Sequence, residues 1–112
     1  MIELLKRFSA VVLNEPHLKP VLPQEAMIIC FQYDYNLLYL QISASHCKVY
    51  KSCHDQIDIL IKGNSDSVNL IITGKERLRK LESRSEIKIT GKFKDILVVE
   101  TLFCLCEKRL SA

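Results

Sequence analysis

Three histidines and five cysteines hold most of the reactive side chains in this chain. Four of them gather in one short stretch. His46 and Cys47, then Cys53 and His54 after five intervening residues, offer two imidazoles and two thiols, the soft donors zinc prefers. The spacing argues against a metal. Structural zinc sites usually draw on two close pairs such as C-x2-C, and no CxxC occurs here. Neighbouring residues on a strand also point to opposite faces, so His46 and Cys47 would diverge. No metal and no cofactor are expected. Cys30, Cys104 and Cys106 lie in apolar surroundings and read as small buried hydrophobes. An odd cysteine count speaks against a closed disulfide framework and for a reducing compartment. His17 is the remaining histidine, and no GxSxG, HExxH or Gly-rich phosphate loop appears. No catalytic residue is assigned, and the chain is not expected to be an enzyme.

With 112 residues, 48% apolar and 26% charged, the chain reads as one globular domain. Its formal charge of +3 is too small to dictate a partner. The distribution is more informative. Lys75, Arg77, Arg79, Lys80, Arg84, Lys88, Lys92 and Lys94 face only Glu76, Glu82 and Glu86 over the same stretch. Such a segment is a solvated helix face or a contact for an anionic membrane surface. It lacks interleaved aromatics, so no nucleic acid is expected. No apolar run approaches the roughly 20 residues of a membrane span. Glu3 interrupts the apolar N-terminus before any small-residue cleavage site, so the expected location is the cytoplasm.

The elements that must position these residues follow from periodicity. Leu4, Leu5, Phe8, Val11 and Val12 make one helical stripe over residues 2–14. Pro16, Pro20 and Pro23 then stiffen the connection. From Ala26 the period becomes two. AMIICFQY, LLYLQIS, HCKVYKS and QIDILIKG read as four strands, with a turn at Asp34-Tyr35-Asn36, and their short links suggest an antiparallel meander. Ile57, Ile59 and Ile61 are expected to share a face. A helix over SVNLIIT would start near Ser65 as N-cap and stop at Gly74. KERLRKLES is a short charged helix anchored by Leu78 and Leu81. SEIKITG is a fifth strand with Ile87 and Ile89 inward.

The final segment stands apart. Ile96, Val98, Val99, Leu102, Phe103, Leu105, Cys106 and Leu110 cover about half the helix circumference, more than a surface helix needs. Leu97 and Cys104 fall outside even that face. Either this helix is tucked deep into a core, or some of its side chains wall a cavity of ~300 Å³ or more for an apolar ligand. Periodicity does not separate the two.

Residues 55–106 resemble the sterol-carrier-protein type 2 family of lipid-binding domains. The resemblance rests on Asp58 in its strand, Ser65, Thr73-Gly74, Leu78, Ile87–Ile89, Gly91 and Leu102-Phe103. It implies an α/β (α+β) fold: a five-stranded, mostly antiparallel sheet covered by helices, in the order α-β-β-β-β-α-α-β-α. It also implies an apolar tunnel between sheet and C-terminal helix, and non-enzymatic binding of a lipid, fatty acyl chain or sterol-like molecule. Many relatives carry Gly-rich hairpins and an early Trp; this chain has no Trp and no Gly before Gly63. The candidate ligand-binding residues are Phe31, Leu38, Leu40, Ile59, Leu70, Ile71, Phe93, Leu97, Val98, Leu102 and Phe103. The alternative is an interaction module, a homodimer for instance, that buries the exposed part of the last helix against a second chain.

Overall fold

In this computed structural model residues 1–53 and 55–110 are described. The elements are α1 (Ile2–Asn14), a 3-10 turn (Pro16–Leu18), β1 (Met27–Tyr33), β2 (Asn36–Ile42), β3 (Cys47–Tyr50) and β4 (Ile59–Gly63). They continue with α2 (Ser65–Ile72), α3 (Leu78–Ser83), β5 (Ile87–Gly91), α4 (Phe93–Leu105) and α5 (Glu107–Leu110). The architecture is the expected mixed one, a five-stranded sheet with helices in the expected order.

The sheet order is β3-β2-β1-β4-β5. This corrects the meander: β4 does not return beside β3 but pairs in parallel with β1, Ile29 opposite Ile59 and Phe31 opposite Ile61. The other three pairings are antiparallel. Residues 51–58 are the reason. A link of that length exceeds the two to five residues of a hairpin loop and carries the chain to the free edge of β1. Asp58 secures the landing: its N–H donates to the Ile28 carbonyl at 2.9 Å, and its carboxylate accepts the Ile28 N–H at 2.9 Å. Ile57 therefore lies before the strand and is 40% exposed, not inward with Ile59 and Ile61.

The β1–β2 hairpin turns on Asp34 and Tyr35 alone, with φ of 44° and 69°. Both are left-handed, as a two-residue type I′ loop requires, and no glycine supplies them. The cap of α2 also differs from expectation. Asn64, not Ser65, is the N-cap, and its side chain accepts the Ser67 N–H at 2.8 Å.

One face of the sheet carries Ile29, Phe31, Leu38, Leu40, Ile42, Ile59 and Ile61, all buried in one cluster with Leu5 and Phe8 of α1 and Ile71 and Ile72 of α2. Leu78 and Leu81 anchor α3 as expected. At the helix C-terminus Gly74 has φ of 77°. A Cβ there would lie 2.5 Å from the Phe103 carbonyl oxygen, so glycine permits both the turn and the approach of α4. The termini meet through α5, where Arg109 pairs with Glu15 and Arg7 donates to the Leu110 carbonyl. No described helix is long and apolar enough to cross a membrane.

Candidate functional site

Of the four donors, His46 and Cys47 diverge. Cys47 is buried and donates to the Ser9 hydroxyl at 3.5 Å, whereas His46 is exposed with its Nε2 3.5 Å from the Tyr50 hydroxyl. His54 lies outside the described residues. Among the described residues, no three His, Cys, Asp or Glu side chains form a metal-holding group. All five cysteines are free. Burial pushes the Cys47 and Cys106 thiols up to about 11 and raises Cys30 and Cys104 as well. Those four stay protonated near neutrality, the unreactive form. His17 faces Glu15, so neither described histidine addresses a thiol.

The eleven candidate ligand residues divide into three groups. Phe31, Leu38, Leu40, Ile59, Ile71, Leu102 and Phe103 are buried together. Phe103, 2% exposed, packs its ring 5.0 Å from Phe8 and 6.3 Å from Phe31. Leu70, Leu97 and Val98 are half-buried, and Leu70 and Val98 rest on the core cluster. Phe93 is 62% exposed, its ring under the Arg79 guanidinium at 5.6 Å.

What holds α4 in place is polar. Glu100, 7% exposed in the middle of the helix, accepts two bonds from the Arg79 guanidinium and one from the Arg79 backbone N–H, at 3.1 to 3.2 Å. The backbone bond satisfies a free N–H in the first turn of α3, so one carboxylate joins the two helices and caps one of them.

The space α4 does enclose opens at its N-terminal end. A cleft of about 640 Å³ lies between α4, the start of β1 and the connection at residues 21–26. Val21, Leu22, Met27 and Val98 line it together with Glu25, Asp58, Lys92, Lys94 and Asp95, so apolar and charged side chains share its walls. Its volume falls within the usual range for a small-molecule site. Only Val98 of the eleven candidates lines it. Val21, Leu22 and Met27 escape sequence reasoning because they belong to an aperiodic connection; the one available signal was the apolar pair Val21-Leu22 held between Pro20 and Pro23. A second, smaller cleft of about 390 Å³ lies on the opposite face of the sheet, against Tyr39, Gln41 and Tyr50.

No protein-family model and no curated protein matches the sequence. Solved structures do match the fold. The UbiJ-SCP2 ubiquinone synthesis protein superimposes with a TM-score of 0.71 at 18% identity, over 96% of this chain and 88% of that one. The sterol carrier protein domain 2 of Helicoverpa armigera gives 0.70 at 17% identity, over 94% of this chain and 86% of that one. The palmitated SCP2L2 of Aedes aegypti gives 0.61 at 12% identity, over 88% and 90%. The likeness reaches the first half of the chain, where the sequence agrees mainly in the order of its elements. The chain has the fold of the sterol carrier protein 2 domains.

Proposed function

We propose that the protein is a non-enzymatic binder or carrier of a lipid with an apolar chain and an anionic head. The observation that carries this reading is the cleft at the start of α4, where Val21, Leu22, Met27 and Val98 meet charged side chains of both signs, Lys92 and Lys94 among them. A fatty acyl chain would lie on Val21, Leu22, Met27 and Val98 while its carboxylate meets the lysines. From there the chain would extend along α4 toward the buried candidates. In this reading Leu70, Leu97, Leu102, Phe103, Phe31, Leu38, Leu40, Ile59 and Ile71 would receive the chain once side chains shift. The palmitated state of the mosquito protein supports the choice of an acyl chain.

A second reading has its own observation. Phe93 and Leu105, 62% and 51% exposed, leave apolar surface on α4 that a second chain would cover. Native mass spectrometry of the protein as purified from cells separates the two. A mass increment of one lipid on a monomer supports the carrier. A ligand-free dimer supports the interaction module and contradicts the carrier.

A further inference from the structure

The face of the sheet turned away from the core is crossed by a strap. β3 and β4 are separated by β2 and β1, so residues 51–58 must pass over both strands. Tyr39, Gln41 and Tyr50 stand on that outward face, with Tyr39 directly opposite Tyr50 and Gln41 opposite Ile28. Ile28 points outward too, yet it is only 7% exposed. A long loop over a sheet normally packs an apolar side chain of its own onto the strands beneath. This one does not. Its one large apolar residue, Ile57, is exposed, whereas Ser52, Cys53 and Asp55 turn to the cavity of about 390 Å³ left between strap and strands.

We infer that this cavity binds a neutral planar ring with a hydrogen-bonding edge, at a site separate from the α4 cleft. Its floor suits a flat ligand. Two tyrosine rings and Ile28 stand on the pleated surface, and an aromatic ligand gains by stacking or edge contact with such rings. The polar groups around them both donate and accept. The Gln41 amide and the Ser52 hydroxyl have no hydrogen-bond partner among the described residues, and Tyr39 and Tyr50 add phenolic hydroxyls. Charge selects no ion. Asp55 is the one charged side chain in the lining, and Lys48 lies over the Tyr50 ring at 5.5 Å, so an anion would meet the carboxylate and a cation the ammonium. Aromatic walls with a few polar groups, in a volume of this size, are the usual make-up of a small-molecule site. An acyl chain suits the cavity poorly, because it would cover the Gln41 and Ser52 groups without bonding them. Binding here does not depend on the carrier reading, which concerns the other face of the sheet.

An NMR titration of the full chain with indole, a neutral planar ring bearing one N–H, tests this. Indole should shift the backbone amides of Ile28, Tyr39, Gln41, Tyr50 and Cys53 saturably and leave those of Val21, Met27 and Val98 in place. Indole carboxylate should bind at least about tenfold more weakly, since its charge would be desolvated beside Asp55. Ser52→Trp brings bulk into the cavity from an exposed position of the strap, so binding should be lost while the melting temperature is kept. Tyr39→Ala should weaken binding about tenfold, as for the loss of one stacking ring. No saturable shift, shifts confined to the α4 cleft, equal affinity for the carboxylate, or unchanged binding by Ser52→Trp would each overturn the site. Prior saturation with a fluorescent fatty acid separates the two faces. Indole should bind as before; full displacement would mean one shared site and overturn the second. Failure of the fatty acid to bind, with the indole shifts intact, would count against the carrier alone and leave this site standing.

Discussion

The two ends of α4 obey different rules. At the C-terminal end Leu102, Phe103 and Cys106 are buried, Phe103 meets two other aromatic rings, and Gly74 lets the neighbouring turn approach the backbone. At the N-terminal end Ile96, Leu97 and Val98 are half-buried, Phe93 is exposed, and the space alongside is a cleft. One helix of nearly uniform apolar composition thus serves as core at one end and as surface at the other. Composition sets how much apolar surface is available; the neighbours decide what that surface does. Here those neighbours are Phe8 and Phe31 at one end and the proline-rich connection at the other.

Truncation should expose the difference. Phe103→Ala removes a close-packed ring and is expected to cost about 3–5 kcal/mol in urea denaturation. The same change at Phe93 should cost under about 0.5 kcal/mol, as for other exposed positions. Near-equal losses would abolish the contrast. Enlargement points the same way: Phe103→Trp would overpack the three-ring contact, with an expected cost of about 1–3 kcal/mol, so at this position the change does not fill vacant space.

Between the ends stands Glu100. Glu100→Ala leaves the Arg79 guanidinium and an N–H of α3 without their acceptor, at an expected cost of about 2 kcal/mol. The loss should be read out by thermal or urea unfolding. A neutral result would mean that packing alone seats the helix.

The thiols give a smaller, pH-dependent signal. Cys47 and Cys106 hold their protons up to about 11 in the folded protein against 9.0 for a free thiol. Folded-state pKa values raised in this way stabilise fully below pH ~9, and the stability is lost as pH rises toward ~11, by up to about 1.4 kcal/mol per unit for each thiol. Urea midpoints measured across that window should fall, and Cys106→Ala should make the decline shallower. An unchanged slope would show that the packed end of α4 is already open to water.

Much of this was legible in the residues, and the failures have causes. Alternation located every strand, because Ile59 and Ile61, or Leu38, Leu40 and Ile42, point to one side whatever strand lies beside them. The same indifference hid the parallel neighbour of β4, which pairing with β1 determines and side-chain period does not report. Ile57 fits the alternation, yet Asp58 ends the pairing before reaching it by binding Ile28 with both backbone and carboxylate. Asn64 and Ser65 are both good caps, and only the fold chooses between them. The cleft was least visible. Its apolar lining joins Val98 to residues seventy or more positions away in sequence, in a connection without period, and no local pattern forecasts that meeting.

The central claim, that the open end of α4 is the ligand end, is tested most directly by Val98→Trp. The variant should fill the cleft at a stability change within about 0.5 kcal/mol, because Val98 is only half-buried. Its uptake of a fluorescent fatty acid in vesicle-free buffer should fall at least about tenfold below the unmodified protein, the equivalent of ~1.4 kcal/mol of binding. Uptake left at the unmodified level, in a protein that melts normally, would place the ligand elsewhere and contradict the account.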